Sequence, residues 1–166
     1  MKAIIVYYSR TGSTKKVAEK LHEKLEDEGK IDIDIEPLVT KKYDAGVFGF
    51  LAAGFDAVMK TNAPVRKWKH DPSSHDIAII GTPIWAGTCS DPVLKYLNIS
   101  SGSLNKVAFF CTHTFSGGQQ AFQDMERACK VSPVGTIEIS EADIKYNRYS
   151  PELNDFIARI TGKPTS

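Results

Sequence analysis

The 166-residue sequence has no surplus of either charge: 21 Lys and Arg stand against 20 Asp and Glu, and no basic stripe stands out. That balance argues against a nucleic-acid binder working by phosphate neutralisation. Cysteine is scarce. Cys89, Cys111 and Cys129 are odd in number and lack metal-ligand or redox spacing, so free thiols in a reducing cytosol are expected. Long apolar runs are missing too; the most apolar stretch, Val47 to Met59, is too short to span a bilayer and carries Asp56. The start, Met1 to Tyr8, has a short apolar run followed by a polar Gly-containing turn where a signal peptide needs a cleavage site. A cytoplasmic protein without membrane insertion is expected. Internal repeats and low-complexity segments are also absent, as is any convincing constellation of acid, base and nucleophile. No catalytic residue and no metal site is assigned.

What is present is ordinary globular composition, 42% apolar and 25% charged, in a length suited to one compact domain over residues 1–166. Five strand-like runs alternate with helical patterns, as in βαβ units on a parallel sheet. They cover Lys2–Tyr8, Ile31–Pro37, Asp76–Gly81, Lys106–Thr112 and Val134–Ser140. The first, third and fourth are nearly unbroken apolar runs, as strands covered on both faces should be. The second alternates Ile31, Ile33 and Ile35 with Asp32, Asp34 and Glu36, and the fifth alternates Ile137 and Ile139 with Thr136, Glu138 and Ser140. Alternation marks the edges, which gives a doubly wound α/β sandwich with strand order 2-1-3-4-5 and fits 3-2-1-4-5 poorly.

Helical faces follow from the apolar spacing. Val17, Ala18, Leu21 and Leu25 define the first helix, which stops near Gly29. Asp91-Pro92 opens another, with Asp91 as cap and Val93, Leu94 and Leu97 inward. Ala121, Phe122, Met125 and Cys129 make a further one, and Ser150-Pro151 opens the last, with Leu153, Phe156, Ile157 and Ile160 as its stripe. The long Leu38–Ser74 crossover carries Val47, Phe48, Leu51, Phe55, Val58 and Met59 at helical spacing, then a polar loop with Arg66, Lys67 and Lys69. A core-packed helix and solvated loop is the expectation; the alternative is an exposed Phe50 region serving as a dimer contact or lid.

Ligands of such sheets bind beyond the strand carboxyl ends, at the switch in strand order. The loop after strand one, Ser9, Arg10, Thr11, Gly12, Ser13 and Thr14, runs straight into a helix, whose N-terminal amides suit phosphate. Hydroxyls that merely cap the helix explain it equally well. Neither a P-loop nor a dinucleotide glycine pattern is present, because Gly12 is alone and precedes Ser13. A receiver domain would need acidic residues at the end of strand one. After strand three comes a loop containing Pro83, Ile84, Trp85, Ala86 and Gly87, in which Trp85 is placed to stack on a planar ring. After strand four come Thr112, His113, Thr114, Gly117 and Gly118, whose amides can bond a heterocycle edge, with His113 as a loop histidine or proton donor. Cys89 reads as a small buried filler.

The run Tyr8-Ser-Arg-Thr-Gly-Ser-Thr, with Gly81-Thr-Pro-Ile-Trp-Ala-Gly and the Thr112–Gly118 loop, resembles the flavodoxin family, in its short-chain form. The resemblance implies FMN, with its phosphate on Ser9–Thr14, its isoalloxazine flanked by Pro83–Gly87 and stacked on Trp85, and its pyrimidine edge at Thr112–Gly118. It further implies electron carriage between redox partner proteins or to a small-molecule acceptor, as monomer or homodimer. The balanced charge departs from the acidic surface of carrier flavodoxins. Two alternatives stand beside that role: an FMN-dependent NAD(P)H:quinone-type reductase, and a flavin-free interaction module.

Overall fold

The computed structural model describes residues 1–39 and 68–163. Its sheet has five parallel strands: β1 (Lys2–Tyr7), β2 (Asp32–Pro37), β3 (Ile77–Trp85), β5 (Val107–His113) and β6 (Pro133–Ser140). A two-residue strand, β4 (Thr88–Cys89), pairs antiparallel with the end of β3. The order β2-β1-β3-β5-β6 is the expected 2-1-3-4-5 path once β4 is set aside. The helices are α1 (Ser13–Asp27), α2 (Asp91–Ser100), α3 (Gly118–Cys129), α4 (Glu141–Tyr146) and α5 (Ser150–Thr161).

Strand pleating divides the core in two. Ala3, Ile5 and Tyr7 of β1 join Ile77, Ile79, Ala108 and Phe110 beneath α1 and α5. Ile4, Val6 and Tyr8 join Ala78, Ile80, Val107 and Phe109 beneath α2 and α3. Unbroken apolar runs in β1, β3 and β5 therefore serve two cores at once. The expected inward residues of α1 and α5 are all buried, whereas Leu94 and Phe122 only flank the second cluster.

Several expectations are corrected. Asp91 is the first residue of α2 rather than its cap; Ser90 precedes the helix, and its hydroxyl accepts from Thr82 at 3.0 Å. The short α4 was not predicted; its apolar content is too small to show a face, yet Ser140 Oγ accepts from the Asp143 N–H at 3.1 Å and caps it. The polar side of β2 is partly covered: Glu36 is buried and Asp34 half-buried because His70 and His75 pack over them. The helix expected over residues 47–59, and the Phe50 alternative, lie outside the described residues. Among the described residues no helix is long and apolar enough to cross a membrane.

The largest correction concerns strand three. It does not end at Gly81 but continues to Trp85, turns through Ala86 and Gly87, and returns as β4. Pro83 is tolerated for a local reason. The Gly81 carbonyl accepts from the Tyr8 N–H, so alternation aims Pro83's missing N–H to the same side, where β1 has ended. The turn is a two-residue hairpin with both central residues at positive φ, 48° for Ala86 and 82° for Gly87.

Candidate functional site

β1, β3 and β5 are neighbours, so the segments after them converge at the carboxyl edge, where the strand order switches. The first segment closes on itself, with the Gly12 N–H donating to Ser9 Oγ at 3.2 Å. Gly12, at φ 97°, is the residue that precedes α1, a left-handed conformation that glycine adopts without steric cost. It brings no side chain to cap the helix. Ser13 Oγ donates to Glu141 Oε1 at 3.2 Å, and Thr14 Oγ1 lies 2.8 Å from Thr112 Oγ1, both threonines buried. These hydroxyls are thus committed to other loops rather than to capping, and the start of α1 keeps its positive dipole end.

The second segment is the β3–β4 hairpin. Trp85 sits edge-on to Tyr8, ring centroids 5.4 Å apart at 88°, an orientation favoured by the aromatic quadrupoles. The hairpin is held from below: Thr88 Oγ1 donates to Asp124 of α3, and Thr82 Oγ1 donates to Ser90 Oγ at 3.0 Å. The Thr88 bond, followed by those from Gln120 and the Arg127 charge, keeps the Asp124 carboxyl below its ordinary range. Cys89 is buried beside Thr82, and burial pushes its thiol up to about 12, so it is no thiolate nucleophile near neutrality. All three cysteines are free and buried.

The third segment follows β5. His113 Nε2 lies 3.0 Å from Glu138 Oε1, while its Nδ1 is buried with no hydrogen-bond partner among the described residues. Gly117, at φ 118°, precedes α3; a Cβ there would stand 2.9 Å from Ile84 Cγ2 and 3.1 Å from Gly87 Cα. The hairpin turn and the third segment therefore touch almost backbone to backbone. Gly118, at the first turn of α3, lies against the Glu138 carboxylate.

Between these segments lies a cleft of about 300 Å³ lined by Arg10, Thr11, Pro83, Ile84, Trp85, Thr112, His113, Thr114 and Glu141. All but Glu141 were anticipated from the sequence. The other expected residues, Ser9, Gly12, Ser13, Thr14, Ala86, Gly87, Gly117 and Gly118, build the loops without forming its wall. Glu141 was missed because it belongs to the unpredicted α4. Phe115, at 91% exposed, projects from the third segment into solvent and was also not singled out. The cleft combines an apolar and aromatic side (Pro83, Ile84, Trp85) with a polar one carrying threonines, Arg10, the His113 imidazole and Glu141. A planar, partly polar ligand with an anionic group suits that division. Among the described residues no cluster of His, Cys, Asp or Glu is suited to a metal ion.

The chain matches no protein-family profile and no curated protein. It is similar to many solved structures. One is a flavoprotein in complex with FMN from Lactobacillus acidophilus, with 21% identity, 90% of this chain and 98% of that one covered, and a TM-score of 0.60. Another is a two-electron reduced flavodoxin from Megasphaera elsdenii, with 16% identity, 95% and 96% coverage, and a TM-score of 0.64. A WrbA-like flavodoxin from Agrobacterium tumefaciens shares 16% identity over 96% of both chains, with a TM-score of 0.55.

Proposed function

We propose that this chain, whose fold is that of the flavodoxins, binds FMN in the cleft at its sheet switch point and carries electrons through it. One observation supports the reading above others. Arg10 and Thr11 of the turn that leads into α1, the Trp85 indole and the His113 imidazole all line one cleft. Bound FMN would supply one- and two-electron redox chemistry; the protein supplies binding, orientation and electrostatics.

The residues fit that group part by part. The Ser9–Thr14 turn would hold the phosphate through the amides opening α1, with Arg10 in the same wall. Trp85 would cover the isoalloxazine, its plane already set by Tyr8. His113, held through Nε2 by Glu138, would bring its imidazole to the heterocycle. Gly117 and Gly118 let backbone come close to a ring edge. Pro83, Ile84 and the hairpin turn would exclude water from the side that Trp85 covers. No acid, base or nucleophile is demanded of the chain, and redox partner proteins or a small-molecule acceptor would take the electrons.

The test is a visible absorption spectrum of the purified chain, before and after adding FMN, followed through stepwise anaerobic reduction. A bound flavin reduced in separable one-electron steps, with no oxidation of NAD(P)H in the presence of quinones, is expected. Rapid quinone-dependent NAD(P)H oxidation would assign the cleft to a reductase instead. Absence of flavin binding after FMN addition would refute the reading and leave the fold as an interaction module.

A further inference from the structure

Resting on the FMN reading, we propose that Glu141 sets the selectivity of the cleft between phosphorylated and unphosphorylated flavin, weakening FMN relative to riboflavin. Its carboxylate is shared between two loops: Oε1 accepts from Ser13 Oγ at 3.2 Å and Oε2 accepts from Thr114 Oγ1 at 3.1 Å. A serine hydroxyl carries a single hydrogen. The hydrogen Ser13 gives to Glu141 is the one an incoming phosphate at the start of α1 would need. Glu141 thus acts as an internal oxyanion, competing for a donor and adding a like charge beside the phosphate.

Acidic residues in the first turn of a helix have an ordinary structural reason, since they complement the helix dipole, and α4 has two, Glu141 and Asp143. Asp143 fulfils it locally, with its N–H and carboxylate both on Ser140. Glu141 does otherwise: both of its oxygens face outward, to hydroxyls of α1 and of the segment after β5, and it forms part of the cleft wall. Ser140, as cap, sets where Glu141 stands. Riboflavin carries no phosphate and would leave the Ser13–Glu141 bond intact, so it meets neither the competition nor the repulsion.

The experiment is fluorescence titration of the flavin-stripped chain with FMN and with riboflavin, for wild type, Glu141→Gln and Glu141→Ala. Both variants are expected to bind FMN on the order of tenfold tighter, from removing one like-charge interaction at a partly screened surface. Riboflavin affinity is expected to show no such gain, and the FMN gain to shrink at high salt. Glu141 is exposed, so circular dichroism should show both variants folded. Equal shifts for FMN and riboflavin would mean that Glu141 merely organises the loops, and would overturn the proposal. So would weaker or unchanged FMN binding in both variants. A wild-type chain that binds neither flavin overturns the FMN reading and this inference with it. A wild type that binds FMN, with selectivity unmoved in the variants, overturns the role of Glu141 alone.

Discussion

The bond between Thr14 and Thr112 ties the start of α1 to the end of β5, and its removal should be measurable. Both side chains are buried, at 1% and 3% exposure, and their hydroxyl oxygens lie 2.8 Å apart. Thr14→Val keeps the shape of the side chain but strips Thr112 of its partner without admitting water. An unsatisfied buried hydroxyl costs about 1–3 kcal/mol. For a domain of this size each kcal/mol lowers Tm by roughly 2–4 °C, so a fall of about 2–12 °C is expected. Thr112→Val should fall by a similar amount. The double variant has no stranded hydroxyl and should lose less than the sum, with a coupling energy of about 1 kcal/mol or more. Urea unfolding of all four proteins measures it. Additive losses, or a neutral single variant, would refute the claim that the two hydroxyls are each other's main partner.

Three further outcomes follow from the geometry. Ala86 is held at φ 48° in the hairpin turn, where a left-handed alanine costs about 1–2 kcal/mol relative to glycine. Ala86→Gly or Ala86→Asn should raise stability by roughly half to one kcal/mol in urea unfolding, asparagine being suited to such turns. Gly117→Ala should do the reverse and also weaken flavin binding, because its Cβ would press on Ile84 and on Gly87, which an absorbance titration would detect. The Asp34 carboxyl is held below its ordinary range, first by the hydrogen bond from His75 and then by the charges of His70 and Lys2. A depressed folded pKa contributes stability that is present above the unfolded value of about 3.9 and is lost as pH falls through the folded pKa. Asp34→Asn should therefore be less stable than wild type near neutrality, and the difference should close in acid; a constant difference in denaturation midpoint across that range would contradict it.

Much of this architecture is legible in the sequence because burial leaves a periodic mark. Ile4-Ile5-Val6 and Ile77 to Ile80 must face helices on both sides, and only an uninterrupted apolar run can do so. The stripes Val17–Leu25 and Leu153–Ile160 are equally plain, since one helix face meets one core. Features set by polar contacts across distant segments leave no such mark. Glu36 reads as a solvent-facing member of an alternating strand, yet it is buried, because the His70 backbone N–H and Nδ1 each lie 3.0 Å from its Oε2, across 34 residues. Pro83 reads as a loop residue, because its harmlessness in β3 depends on where β1 stops. Glu141 was overlooked because a six-residue helix without buried residues has no apolar signature. The cleft itself was legible because its parts sit in three short runs, each directly following a recognisable strand.

The same contacts explain how three loops of a parallel sheet are held together around one site. Each strand end by itself would be free to move, and ordering it on ligand binding would cost conformational entropy. Here the first loop is tied to the third by Thr14 with Thr112 and, through Glu141, by Ser13 with Thr114. The second is pressed to the third where Gly117 meets Gly87, and is bound to α3 by Thr88 with Asp124. The hairpin's own backbone bonds replace the neighbour that β3 loses when β1 ends. Order at the cleft therefore derives from cross-links between loops as well as from the strands beneath them. The link through Glu141 is the only one of these that brings a net charge to the cleft wall. Stiffness and affinity should consequently respond in opposite directions to its removal. Loss of the Glu141 carboxylate should loosen Ser13 and Thr114 while making the start of α1 more receptive to a phosphate.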